Sequence, residues 1–193
     1  MWIHTSRCRT FRYAPTTANA CAVELAPSAV GATRLFFDCL VLTVGVERGD
    51  LALGAAATQI VRRIATETDA AYIVISGFAQ LTSSAERSST ATGLDLLSHI
   101  ADVLDLLSEL TERLEERGER VHLTPFGWHK RSHAEVCGQR VIHLPHATDR
   151  TGAEPAETVV ANCSVDHDRS RICPRRDSTR HYRFRRSTGR RAM

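Results

Sequence analysis

The chain reads as an α/β domain, a mixed β-sheet carrying two main helices, followed by a basic tail. Three observations predict it. Residues 39–46 (CLVLTVGV) and 72–76 (YIVIS) are short apolar runs rich in β-branched side chains, the pattern of strands covered on both faces. Between them Leu53, Ala57, Ile60, Val61 and Ile64 recur at helical spacing, with Arg62 and Arg63 on the opposite side. A second leucine stripe, from Leu97 to Leu114, separates the second run from another short strand. Strand, helix, strand, helix, strand is the order of linked βαβ units.

Taken in order, residues 2–5 and 11–13 predict two short strands about a polar turn. Residues 14–33 (APTTANACAVELAPSAVGAT) have no period and predict a loop with room for a brief helix. Asp50 is placed to cap the first helix, and Gly77 to end the second buried strand. A polar link, LTSSAERSST, leads to the long helix marked by Leu97, Ile100, Leu104, Leu107, Leu110 and Leu114. Arg117 and Gly118 are its stop. Residues 121–124 predict a strand entering the turn Pro125-Phe126-Gly127. Residues 133–144 predict a hairpin turning at Cys137 and Gly138, which makes the sheet mixed. Past Leu144 no core pattern remains. The domain is therefore expected to span 1–145, with 146–193 a disordered, Arg-rich basic tail.

Composition narrows the class. A chain of 193 residues, 42% apolar and 24% charged, is long enough to bury one sizeable core. Neither a membrane-length apolar stretch nor a signal peptide is visible, so a cytoplasmic location is expected. Six cysteines without a C-x-x-C pair predict free thiols in a reducing compartment. The net charge of +3 is uneven: from Asp166 onward ten Arg face three Asp, which leaves +7 there and −4 on the rest. Nucleic acid would have to be held by local groups, by the tail or by a partner.

No dinucleotide fingerprint, phosphate-binding P-loop or nucleophile elbow occurs. His129, His133, His143 and His146 lack metal-ligand spacing on the elements expected there. Cys163, His167, Cys173 and His181 are loosely spaced in the tail. No metal and no organic cofactor is expected. The sharpest feature is TPFGWHK, residues 124–130, where a strand ends in a tight aromatic turn and delivers a lysine to the rim of the sheet. Lys130 is the single Lys beside 24 Arg. It is thus a candidate for a role needing a compact amine with an adjustable pKa. Spacing alone fits an aromatic-anchored turn with an exposed lysine equally well.

Three segments together resemble the archaeal-type editing domain of threonyl-tRNA synthetase, a relative in fold of the D-aminoacyl-tRNA deacylases. They are VGVE (Val44 to Glu47), GFAQL (Gly77 to Leu81) and TPFGWHK, and their order and spacing agree to about Leu144. The resemblance implies a homodimeric hydrolase that removes serine from mischarged tRNA(Thr), free-standing or working in trans beside a threonyl-tRNA synthetase. The length leaves no room for a synthetase catalytic domain. The need is physical, because one methyl group gives only about 1–3 kcal/mol of discrimination in a binding pocket.

Carried across, Lys130 falls on the family's functional lysine, and Val46, Ala79 and Phe126 fall on pocket walls. His129 stands where Tyr is frequent. Glu47, Gly127 and Trp128, from the same segments, are expected at the substrate. Gln80 replaces a common His and keeps hydrogen bonding but not proton transfer. Gly138-Gln139-Arg140 replaces a Gly-His-Pro turn, His143 replaces an acidic residue at the substrate site, and the second helix is about three turns longer. Two rivals follow from these departures: a non-catalytic relative that binds tRNA or a partner, and a deacylase for D-aminoacyl-tRNA.

Overall fold

In the computed structural model the described residues are 1–80, 93–145 and 156–160. Both βαβ units are present. Strand β2 (Arg34–Val46), helix α1 (Gly54–Thr68) and strand β3 (Tyr72–Ala79) form the first, and β3, helix α2 (Gly93–Glu115) and strand β4 (Val121–Leu123) the second. The three strands run parallel. Strand β1 (Trp2–Ala18) pairs antiparallel with β2 on one side and with β5 (Trp128–His143) on the other. Strand β6 (Ala156–Val160) adds antiparallel to β5. The sheet order is β4-β3-β2-β1-β5-β6, mixed as the patterning predicts.

Both helices cover one face. Leu40, Leu42, Val44 and Val46 of β2 and Ile73 and Ile75 of β3 bury against Ile60, Val61 and Ile64 of α1 and Leu106, Leu107, Leu110 and Leu114 of α2. Each such side chain contributes on the order of 1.5–3 kcal/mol. On the other face Cys8, Cys39 and Val74 are buried beneath Phe11, Phe36, Val41 and Tyr72. The Tyr13 hydroxyl reaches His122 Nε2 at 2.6 Å, joining β1 to β4 although two strands lie between them in the sheet. Phe36 lies between the two side chains, its ring 6.4 Å from Tyr13 and 4.9 Å from His122, so an aromatic layer covers the face that has no helices.

Several expectations are corrected. The two short N-terminal strands are one strand, β1, because its polar middle is paired on both edges and needs no turn. The hairpin expected at 133–144 is likewise a single strand. Arg7 faces Gly138 and Cys8 faces Val136, so Cys137 is an extra residue in a bulge where a turn was expected. Strand β3 continues past Gly77. A Cβ there would stand 2.2 Å from Leu107 Cδ1, so this glycine serves the close approach of α2 rather than a strand end.

Asp50 does not cap α1. It is buried in a 3₁₀ turn, where Oδ1 accepts from the Met1 ammonium at 3.0 Å and Oδ2 from the Glu47 N–H at 2.6 Å. On α2 the buried stripe is His99, Val103, Leu106, Leu107, Leu110 and Leu114, while Leu97 is 61% exposed. Leucines on neighbouring faces of its first turns conceal that phase. Finally, residues 156–160 lie in the stretch expected to be a disordered tail, yet they form β6, whose ETVV run has strand propensity too short to read alone. The rest of that stretch and the 81–92 link lie outside the described residues. No described helix is long and apolar enough to cross a membrane.

Candidate functional site

The site is built on the turn between β4 and β5. The Thr124 N–H donates to Ile75 O at 2.8 Å, so the chain leaves β4 still tied to β3. Gly127 has φ 75°, and a Cβ there would stand 2.4 Å from Ala22 Cα; both the left-handed backbone and the neighbour demand glycine. That neighbour is a clamp. Asn19 N–H donates to Gly127 O at 2.9 Å, Val23 N–H to Phe126 O at 3.1 Å, and Trp128 Nε1 to Val23 O at 2.8 Å. The turn is thus fixed on both sides, with Phe126 buried beneath it.

Two residues past Trp128, Lys130 points back over the sheet. Its Nζ donates to Ser76 Oγ at 3.5 Å, a long contact at the edge of hydrogen-bond range. The side chain is half-buried, and this burial lowers the ammonium pKa below its usual 10.5. The sole lysine of the chain therefore has the adjustable protonation that an arginine would lack.

A cavity of about 410 Å³ opens beside it, within the size range of ligand sites. Of the residues expected at the site, Ala79, Phe126, Gly127, Trp128, His129 and Lys130 line it together. Sequence reasoning missed Asn19, Cys21 and Ser76 and the α2 residues Leu96 and Ile100, which also line it. Ser76, a hydroxyl closing an otherwise apolar strand run, was the one visible signal. Lys130, Ser76, Trp128 and His129 also border a second space of about 340 Å³, which Thr43, Ser132 and Thr124 complete. The Thr124 hydroxyl is buried with no hydrogen-bond partner among the described residues.

Four expected residues do not line the cavity. Val46 is in the core, and its carbonyl accepts from the Gln80 N–H at 2.8 Å. The Gln80 side chain lies against Gly45, its Oε1 2.8 Å from where a Cβ on that glycine would stand. Glu47 gives its N–H to Asp50. His143, at the far end of β5 from Lys130, packs at a tilt against Trp2 with ring centroids 4.0 Å apart. His129 and His133 are exposed on β5, and no metal-binding group of three side chains occurs among the described residues.

Residues 1–146 match the family model of the Archaea-specific editing domain of threonyl-tRNA synthetase, a span that takes in every residue of the cavity. The chain belongs to this family. No curated protein sequence matches it. As a member of the editing-domain family, the chain serves tRNA editing and translation fidelity, with aminoacyl-tRNA as its substrate.

Proposed function

We propose that this editing domain hydrolyses the ester linking serine to mischarged tRNA(Thr), with Lys130 as the chemical centre. The carrying observation is the placement of that amine: half-buried, with its pKa lowered by burial, within reach of Ser76 Oγ and on the wall of the cavity. The aminoacyl ester is already activated, so hydrolysis needs a placed water and support for developing charge. Water attacks the ester carbonyl, the C–O bond to the ribose breaks, and the ribose oxygen takes up a proton. Lys130 orients that water or donates to the oxyanion, and Ser76 holds the amine. Ala79 and Phe126 bound the space for a small side chain. Gln80, next to Ala79 in the chain, has its side chain against Gly45 and off the cavity wall, and acts on the site only through the end of β3. Val46, Glu47 and His143 have no part in this reading.

The domain acts free-standing, in trans to a threonyl-tRNA synthetase, and as a homodimer. Leu35 and Phe37, 52% and 58% exposed on β2, support self-association; sedimentation as a monomer at micromolar concentration would remove that support. The deciding experiment incubates the protein with seryl-, threonyl- and D-aminoacyl-tRNA and follows amino-acid release. Serine release from tRNA(Thr) is expected. Preferential release of D-amino acids, or release from none, would replace the reading with a different substrate or with tRNA binding alone.

A further inference from the structure

We propose that the fold carries a second small-molecule site, for a compact apolar carboxylate, in a half-open cleft bordered by the 19–33 loop, the end of β4 and helix α2. It is a cavity of about 340 Å³ that includes neither Lys130 nor Ser76 in its lining. This volume is at the lower end of ligand-binding pockets.

The polar groups on its wall specify the ligand. Arg34 is exposed at its border, and no Asp or Glu lines the cavity. The other titratable side chains there are Tyr13 and His122, hydrogen-bonded to each other at 2.6 Å. Burial, and then the charge of Arg34, lower the pKa of His122, which favours the uncharged imidazole in its 2.6 Å hydrogen bond with the Tyr13 hydroxyl. Burial raises the pKa of Tyr13, which keeps that hydroxyl protonated. The guanidinium is therefore the one formal charge on the described wall, and it fits a carboxylate by charge and by planar donor geometry.

Thr124 provides a second pointer. It lines this cavity, as well as the space beside Lys130, at 2% exposure, and its hydroxyl has no partner among the described residues. A buried hydroxyl left without a partner costs stability that a ligand oxygen would recover. The remaining wall is mainly apolar. Leu104 of α2, placed in the core by its helical spacing, is only half-buried because it borders this space. Phe126 contributes here as well as to the Lys130 cavity.

The test uses the full chain with phenylacetate and phenylacetone, which share shape but differ in charge, followed by NMR shift titration of backbone amides. Phenylacetate is expected to bind with shifts centred on Tyr13, His122 and Thr124, at least tenfold more tightly than phenylacetone. Arg34→Gln, at an exposed position, should weaken phenylacetate at least tenfold and leave phenylacetone unchanged. Leu104→Trp, which fills the space, should abolish both while a melting curve reports the fold, and Lys130→Ala should affect neither. Equal affinity for the two probes, an Arg34→Gln protein that binds phenylacetate normally, shifts centred on Lys130, or no binding in the millimolar range would each overturn the proposal.

Discussion

Replacing Gly77 by alanine tests whether the cavity depends on the close packing of α2 against β3. An added Cβ would meet Leu107 Cδ1 at 2.2 Å, Cδ2 at 2.7 Å and Cγ at 2.9 Å. Ordinary carbon contacts lie near 3.5–4.0 Å, so Leu107 would have to retreat by about 1.3 Å or more. A χ1 change would move both methyls and the Cγ together, but Leu107 is buried in the main core, so its neighbours or α2 must shift to make room. Such overpacking costs about 1–3 kcal/mol. Removing a glycine from a strand interior returns about 0.5–1 kcal/mol of that. A net loss of about 1 kcal/mol corresponds to a fall in Tm of roughly 2–4 °C for a chain of this size. Urea unfolding should show a lower midpoint at unchanged slope. In the double variant Gly77→Ala, Leu107→Ala the two losses should sum to less than their separate values, because the second removes what the first strikes. A Gly77→Ala protein as stable as the parent would refute the packing account.

Three further outcomes follow from the site. The pKa of Lys130 is lowered in the folded state, so between that value and the usual 10.5 the unfolded chain binds more protons. Stability should therefore rise with pH across this window, and Lys130→Met should remove the rise in urea titrations; a slope that persists contradicts the burial of the amine. Because the Gln80 side chain lies against Gly45 and off the cavity wall, Gln80→Ala should leave deacylation nearly unchanged; a large fall in rate would mean that the amide reaches the substrate. Deleting residues 161–193, which carry the +7 segment but spare β6, should weaken tRNA binding and flatten its salt dependence. Saturating turnover should stay nearly constant, and an unchanged salt slope would locate the phosphate contacts elsewhere.

The parts of the fold legible in the sequence are those set by local pattern. Runs such as YIVIS and the Ile60–Ile64 stripe have one solution each, and the βαβ units followed from them. Strands β1 and β5 were not legible, because what keeps residues 6–10 and 132–140 extended is pairing with each other across the whole domain. A local polar stretch, or Cys137-Gly138, looks the same in a turn and in a bulge. The site divides likewise. Pro125-Phe126-Gly127 and the isolated Lys130 were visible as a turn and an unusual residue. The clamp of Asn19 and Val23 was not, since its bonds run through backbone groups that any sequence possesses. Gln80 and His143 entered by resemblance alone, and the fold keeps both side chains off the cavity wall.

The most direct measurement is the single-turnover rate of serine release from seryl-tRNA(Thr) by Lys130→Ala, with circular dichroism and melting as controls of the fold. The rate should fall by about 10²–10³, the scale of losing one preorganised donor. Lys130→Arg should recover little of it, because the planar guanidinium keeps the charge but displaces the water. A well-folded Lys130→Ala protein that releases serine at the parent rate would contradict the assignment of the chemistry to this amine.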